Sequence, residues 1–262
     1  MVNQVIHFDD GAAYEQMMGI WSRSAGEVFL EWLAPSSGRR WIDIGCGNGA
    51  FTELLVERCA PAEVQGIDPS EGQLAFARTR PASRIAHFQQ GDALALPFAD
   101  DKFDAAVMAL VLVFVPDPAK GVSEMARVVR PGGTVAAYMW DMLGGGFPLD
   151  PILEEMRAMG LSPPRPPRMD ASPMAAMGDL WTRAGLEAVE TRGITVSRTF
   201  DDFDHFWRTS VTASSIVSTV ATMAPRDVDE LKRRLRLRLP AEADGRITHY
   251  ARAHAAKALV PK

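Results

Sequence analysis

Apolar residues along this chain alternate between short continuous runs and helically spaced stripes. Trp41-Ile42-Asp43-Ile44, Val64-Gln65-Gly66-Ile67 and Thr134–Trp140 are of strand length, and the unbroken run Ala105–Val115 predicts a strand buried on both faces of a parallel sheet. Helix signals fall between them. Ser70-x-x-Gln73 is a capping box leading into Leu74 and Phe76. Asp117 and Pro118 open a second helix, which carries Val122, Met125, Val128 and Val129 on its apolar side and stops at Pro131-Gly132-Gly133. Before the first strand, residues 11–34 predict a helix, broken or bent near Gly19, with Val28, Phe29, Trp32 and Leu33 at helical spacing. Strands that alternate with helices predict an α/β fold with a doubly wound, mostly parallel sheet.

The second half is more irregular. Residues 141–170 begin at Gly144-Gly145-Gly146 and end in Pro163-Pro164-Arg165-Pro166-Pro167, a pattern that predicts a mobile hinge followed by a stiff extended tract. Ser172-Pro173 opens a helix bearing Met174, Met177, Leu180 and Trp181, with Gly185 past its end. A strand is expected over residues 187–199, helix over 201–239, and a returning strand from Gly245 to about Leu259 after the Asp244-Gly245 turn. Leu235-Arg236-Leu237-Arg238-Leu239 alternates like a strand inside flanks that suit a helix.

The most informative stretch follows the first strand. Asp43 is succeeded by Gly45, Gly47 and Gly49 at alternate positions, then by a helix start. Glycines there allow a sharp turn and close approach of a ligand to the backbone. Gly45-x-Gly47-x-x-Ala50 also fits a dinucleotide fingerprint. Asp68 ends the next strand at the distance, about 20 residues on, from which an acid reaches a ribose diol, and it suits either kind of cofactor. In Gln90-Gly91-Asp92-Ala93-Leu94, the Asp92 carboxylate can accept from an adenine amino group and the Ala93 N–H can donate to a ring nitrogen.

Taken in order with Arg127-Val128-Val129-Arg130-Pro131-Gly132-Gly133, these segments resemble the motifs of the class I S-adenosylmethionine (SAM) methyltransferases, most closely the small-molecule branch that includes the quinone-biosynthesis C-methyltransferases. The stretch Tyr14–Arg23 is similar to a lead-in helix of such enzymes. The resemblance implies a seven-stranded Rossmann-like methyltransferase fold with an antiparallel last strand and helical lid insertions. It implies a single domain over 1–262, a SAM-binding core over 35–141, and lid segments at 11–34, 142–170 and 201–240. The cofactor residues it implies are Asp43, Gly45, Cys46, Gly47, Asn48, Gly49, Asp68, Pro69, Gln73, Asp92, Ala93, Leu94, Ala109 and Leu110, with Arg23 at the methionine carboxylate. SAM is the implied cofactor. The implied partner is a small acceptor, apolar or aromatic, facing lid residues such as Met17, Met18, Trp21, Met142, Phe147, Phe203, Phe206 and Trp207. Residues at helical spacing are more often core than pocket.

Composition narrows the alternatives. A net charge of −5 argues against general affinity for nucleic acid or an anionic membrane, and the cluster from Lys232 to Arg238 sits beside Asp227, Asp229, Glu230 and Glu242. Two cysteines, Cys46 and Cys59, fit a reducing, cytoplasmic setting. The five histidines show no metal spacing, so no metal site is expected, and no run of about 18 apolar residues suggests a membrane span. The expected state is a monomer or homodimer. His205, His7, Tyr14 and Asp141 are the candidate bases. A nicotinamide oxidoreductase shares the glycine loop and Asp68 but does not predict Gly91-Asp92-Ala93. A non-catalytic SAM-binding protein would keep every cofactor residue.

Overall fold

In the computed structural model, residues 11–211 and 214–262 are described, without the side chains of 11–17 and 214–215. The elements run α1 (Gly11–Leu33), β1 (Arg40–Ile44), α2 (Ala50–Cys59), β2 (Glu63–Asp68), α3 (Glu71–Ala77), β3 (Ala86–Gln90), β4 (Phe103–Ala109), α4 (Pro118–Val128) and β5 (Val129–Trp140). There follow α5 (Asp150–Ala158), α6 (Met174–Arg183), β6 (Glu187–Phe200), α7 (Phe203–Ser210), α8 (Ser214–Ala221), α9 (Pro225–Arg238) and β7 (Ile247–Leu259).

The strands form one sheet in the order β3-β2-β1-β4-β5-β7-β6. β1 to β5 pair in parallel, and β7 runs antiparallel between β5 and β6. The expected doubly wound, mostly parallel seven-stranded sheet is therefore observed. A dinucleotide-binding sheet has the order 3-2-1-4-5-6, with no antiparallel strand inserted before the last. Ile44, Asp68, Gln90, Ala109 and Trp140 end the parallel strands along one edge. The strand order reverses between β1 and β4, and the crevice at such a switch point is where α/β sheets bind ligands.

Helices cover both faces. α1 packs on α2 and α3, while α4 packs on α6. Tyr138 of β5 meets Phe29 of α1 with ring centroids 4.7 Å apart and Phe51 of α2 at 5.7 Å, joining the lead-in helix to the sheet. Trp181 of α6 donates to the Val135 carbonyl at 2.9 Å. β6 and β7 continue beyond β5: Trp140 pairs with Ala253, but β7 begins at Ile247, so 247–252 and their partners project past the carboxyl edge as a two-stranded ribbon.

Several local expectations need correction. α1 is continuous through Gly19, because glycine in a helix costs only about 1 kcal/mol against alanine and Met18 and Trp21 beside it are buried. The run 105–115 is not one strand. β4 stops at Ala109, and Leu110 turns into the left-handed region (φ 63°) before a short 3-10 turn at Leu112–Phe114. α4 ends at Val128, so β5 begins four residues before Pro131-Gly132-Gly133 has passed. Residues 141–170 contain α5, which the flanking glycines and prolines concealed. Leu235–Arg238 is helical, with Leu231 and Leu235 buried one turn apart.

The glycine triplet is a packed turn. Gly144 N–H donates to the Asp141 carboxylate at 2.8 Å, Gly146 N–H to the Asp141 carbonyl at 2.9 Å, and Arg252 N–H to the Gly146 carbonyl at 2.9 Å. A Cβ on Gly146 would lie 2.6 Å from the Arg252 carbonyl oxygen, whereas one on Gly145 (φ 74°) meets nothing within 4 Å. Gly145→Ala should therefore cost only the left-handed penalty of about 1–2 kcal/mol. Gly146→Ala should cost more, on the order of 2–3 kcal/mol, through backbone collision. Urea midpoints with unchanged slope check the ranking, and equal losses would refute the packed-turn account.

Candidate functional site

The site is built at the switch point. Gly45, Gly47 and Gly49 all have positive φ (73°, 52° and 79°), and α2 starts directly after them with its N-terminal N–H groups toward the crevice. Two of the glycines are required by packing. A Cβ on Gly45 would stand 2.5 Å from the Val111 side chain, and one on Gly49 3.0 Å from the Ala77 Cβ. A Cβ on Gly47 would find only the Gln73 Oε1, at 3.9 Å. Room is left over the middle glycine, where a ligand can approach the backbone.

Side chains from neighbouring strands hold the loop. One Asp68 oxygen accepts from Gly47 N–H at 2.9 Å and the other from Ser70 N–H at 2.9 Å, so one carboxylate ties the β1 loop to the start of α3. Gly45 and Cys46 N–H groups donate to the Ile67 carbonyl at 2.7 and 3.0 Å. Asn48 caps locally, its side-chain oxygen accepting from Ala50 N–H at 3.2 Å. Arg80 donates to the Asn48 carbonyl at 2.7 Å and pairs with Glu53 at 2.7 Å. Ser70 Oγ accepts from Gln73 N–H at 3.3 Å, the capping box read from sequence, and Gln73 is buried. Gln90 donates to the Pro69 carbonyl at 2.9 Å.

Asp43 lies beneath the loop, fully buried. Thr52 of α2 donates to one of its oxygens at 2.6 Å, and the other has no partner among the described residues. Burial pushes its carboxyl up to about 7, opposed by the Thr52 hydrogen bond and assisted by the nearby Asp68 charge. Burial also raises Asp68 against the pull of its two N–H donors. The Cys46 thiol is pushed well up by burial and then by Asp43 and Asp68, which keeps it protonated and unreactive.

At the third strand end, Asp92 folds back, its carboxylate accepting from Leu94 N–H at 2.9 Å and its carbonyl from Ala95 N–H at 3.1 Å. The turn leaves the Asp92 side chain exposed and Ala93 and Leu94 half-buried. Ala109 closes β4, and Leu110 N–H donates to the Tyr138 carbonyl at 2.8 Å. The left-handed Leu110 turn directs Val111 onto Gly45.

The other expected residues have the following partners where their side chains are described. Arg23 is half-exposed and paired with Glu57 at 2.7 Å. Glu57 is seven residues into α2, about 10 Å of helix beyond Ala50. Asp141 is not a free base. Burial raises its carboxyl, but the Arg252 hydrogen bond, Gly144 N–H and His254 outweigh that and lower it, with Arg252 at 2.6 Å. His205 Nδ1 faces Asp201 at 3.0 Å, and the His205 N–H is capped by Asp202 at 2.6 Å. Tyr14 lies on α1, but its side chain, like those of Met17 and of His7, is outside the described residues. Of the lid aromatics and methionines, Met18, Trp21, Met142, Phe203, Phe206 and Trp207 are buried in the core, and Phe147 is half-buried. The α9 cations are met by neighbours: Arg233 and Arg234 by Glu230, Arg236 over Phe203, Lys232 over Trp207, and Arg238 by Glu154. Thr52, Arg80 and Val111 were not anticipated. Each acts across a distance in sequence that no local pattern records.

Among the described residues, no three His, Cys, Asp or Glu side chains gather as a metal site, and no helix is long and apolar enough to cross a membrane.

The antiparallel seventh strand and the glycine corner at the switch point define a Rossmann-like methyltransferase fold. Residues 42–137 match the family described as "Methyltransferase domain". The chain is 40% identical over 105 residues to the demethylmenaquinone methyltransferase of Desulfitobacterium hafniense, covering 38% of this chain and 42% of that protein. It is 33% identical over 147 residues to the 2-phytyl-1,4-naphtoquinone methyltransferase of Synechococcus elongatus, covering 54% and 59%. The chain thus spans about half the length of these curated relatives. In fold it is similar to phosphoethanolamine N-methyltransferase 2 of Haemonchus contortus, solved in complex with S-adenosyl-L-methionine, with a TM-score of 0.60, 19% identity, and coverage of 100% of this chain and 59% of that one.

The buried acids set a pH dependence. Asp43 at about 7 and Asp150 at about 6 bind protons in the folded state that the unfolded chain has already lost. Stability without ligand should therefore fall as pH rises from about 4 to about 7 through these two groups. Asp43→Asn keeps an oxygen for Thr52 and should flatten the upper part of that fall. Urea unfolding at pH 5, 6, 7 and 8 checks it, and parallel wild-type and variant curves would contradict the assignment.

Proposed function

We propose that this chain is a SAM-dependent methyltransferase (EC 2.1.1.-) whose acceptor is a small molecule with an apolar or aromatic, hydroxylated ring of the quinone type. The observation that carries the reading is the space over Gly47, with Asp68 bound to the Gly47 N–H at its rim and Asp43 buried beneath the loop, one of its oxygens without a partner among the described residues. Those residues fit a cationic, ribose-bearing cofactor. Asp68 has lone pairs left for a diol beyond its two N–H contacts, Asp43 supplies negative charge, and the Asp92–Leu94 turn suits an adenine edge. When bound, the sulfonium supplies an activated methyl group. The chain's own task is to align the acceptor with it and exclude water, and proximity and orientation contribute about 7–11 kcal/mol to such a step.

The acceptor class follows the two relatives, named as a demethylmenaquinone methyltransferase and a 2-phytyl-1,4-naphtoquinone methyltransferase. The roof over the acceptor is assigned to α1, the 142–170 segment with α5, and the α7–α9 insertion. They stand beside the ribbon that projects past the carboxyl edge, and α1 packs on both α3 and α7. Two free, buried cysteines suit a reducing cytoplasm.

Calorimetry should find micromolar binding of SAM and of its product S-adenosylhomocysteine (SAH), and none of NAD. Asp68→Ala should weaken SAH binding about tenfold or more, since leaving buried polar groups unpaired costs about 1–3 kcal/mol. Arg23→Ala should stay within about twofold, because its partners are Glu27 on its own helix and Glu57 toward the far end of α2. The reverse ranking would place the diol elsewhere. Transfer of labelled methyl to a panel of reduced quinones tests the acceptor class, and binding of SAH without transfer to any panel member would contradict it.

A further inference from the structure

His249 lies outside every role assigned so far. It is on β7, in the part that projects beyond the end of β5. Tyr138 of β5 faces α1, and its partner on β7 is Ala255. Side chains two apart share a sheet face, so Ala253, Ala251 and His249 lie on the α1 side. The contact agrees: the His249 ring meets the Trp21 ring edge-on, centroids 5.7 Å apart. Trp140 shares that face, and its indole N–H is buried without a partner among the described residues.

The tautomer is set by one bond. His249 Nε2 lies 3.1 Å from the Pro148 carbonyl oxygen, which can only accept, so Nε2 carries the proton and Nδ1 carries the lone pair. Nδ1 has no partner among the described residues, and it is not one of the sealed, unsatisfied side-chain atoms. It is therefore a reachable proton acceptor on a half-buried ring held between Trp21 and the Pro148 loop. Burial lowers the imidazole below its ordinary 6.5, the Pro148 carbonyl pulls the other way, and Arg238 on α9 lowers it further. Its other charged surroundings are Arg198, opposite it on β6 and stacked on Phe200, and Glu154 and Glu155 of α5, which hold Arg238. Asp150 beside Pro148 has its own carboxyl raised to about 6.

We propose that His249 is the catalytic general base, taking at Nδ1 the hydroxyl proton of an aromatic acceptor as that acceptor is methylated; this rests on the methyltransferase reading above. The O–H electron pair stays with the acceptor, which forms its new bond to the methyl carbon through oxygen or through the activated ring carbon. The sulfur–methyl bond breaks with its electrons left on sulfur, giving a neutral thioether. The proton on Nδ1 makes an imidazolium, which then loses it to solvent. Burial holds the imidazole below its ordinary value, so the base is ready at neutral pH.

The test uses the whole chain, with 1,4-dihydroxynaphthalene kept reduced as the acceptor probe. His249→Gln retains an N–H for the Pro148 carbonyl but has no basic nitrogen, so it separates catalysis from packing; His249→Ala removes both. With SAH bound and histidine nitrogen-15 labelled, nuclear magnetic resonance should show a neutral, Nε2-protonated His249 whose Nδ1 signal moves when the probe is added. An unmoved Nδ1 signal would overturn the inference. In labelled-methyl assays, His249→Gln should lose about 10²–10⁴-fold in kcat/KM and the acid limb of the pH profile, while SAH affinity stays within about twofold. Wild-type turnover with an unchanged pH profile in that variant would also overturn it. SAH failing to bind wild type would instead overturn the methyltransferase reading itself.

Discussion

The site depends on one carboxylate held between two loops. Asp68 accepts from Gly47 on one side and Ser70 on the other, so the turn after β1 and the cap of α3 cannot move independently. That bridge exists because β1 and β2 pair in parallel and in register, Ile44 opposite Ile67, which brings both strand ends to one level. With the Ile67 carbonyl already taken by Gly45 and Cys46 N–H groups, the loop's remaining freedom is the space over Gly47. Everything ascribed to the cofactor follows from that space being open while its rim is fixed.

The electrostatics follow the same geometry. Three acids near the crevice or its roof, Asp43, Asp68 and Asp150, are raised by burial, whereas Asp104, Glu124 and Asp141 are lowered because arginines outweigh their burial. The first group costs stability toward neutral pH and can recover it from a cationic ligand. The second group stabilises the frame above about pH 4 and loses that contribution in acid. Asp43 and Asp68, at the crevice, are raised with no cation among the causes, a separation that functional sites share.

Local chemistry was legible in the sequence and long-range pairing was not. Ser70 and Asp117 cap as read, because a cap is a contact within three residues. The glycine corner and the order of the strands were legible because turn residues and apolar runs carry their own periodicity. Val111 was misassigned to a strand, since an apolar run does not reveal where a left-handed residue such as Leu110 will end it. Arg23 and Asp141 were placed by residue type near the right segments. Their partners, Glu57 and Arg252, lie 34 and 111 residues away and decide their roles. His249 went unremarked because its tautomer is set by Pro148, 101 residues earlier.

A crystal structure of the SAH complex tests the account most directly. It should show the ligand over Gly47, with the ribose hydroxyls on Asp68 and the adenine against the Asp92–Leu94 turn, and the strand ends unmoved. A ligand seated away from Gly47, or a ribose held by other residues while Asp68 keeps only Gly47 and Ser70, would contradict it.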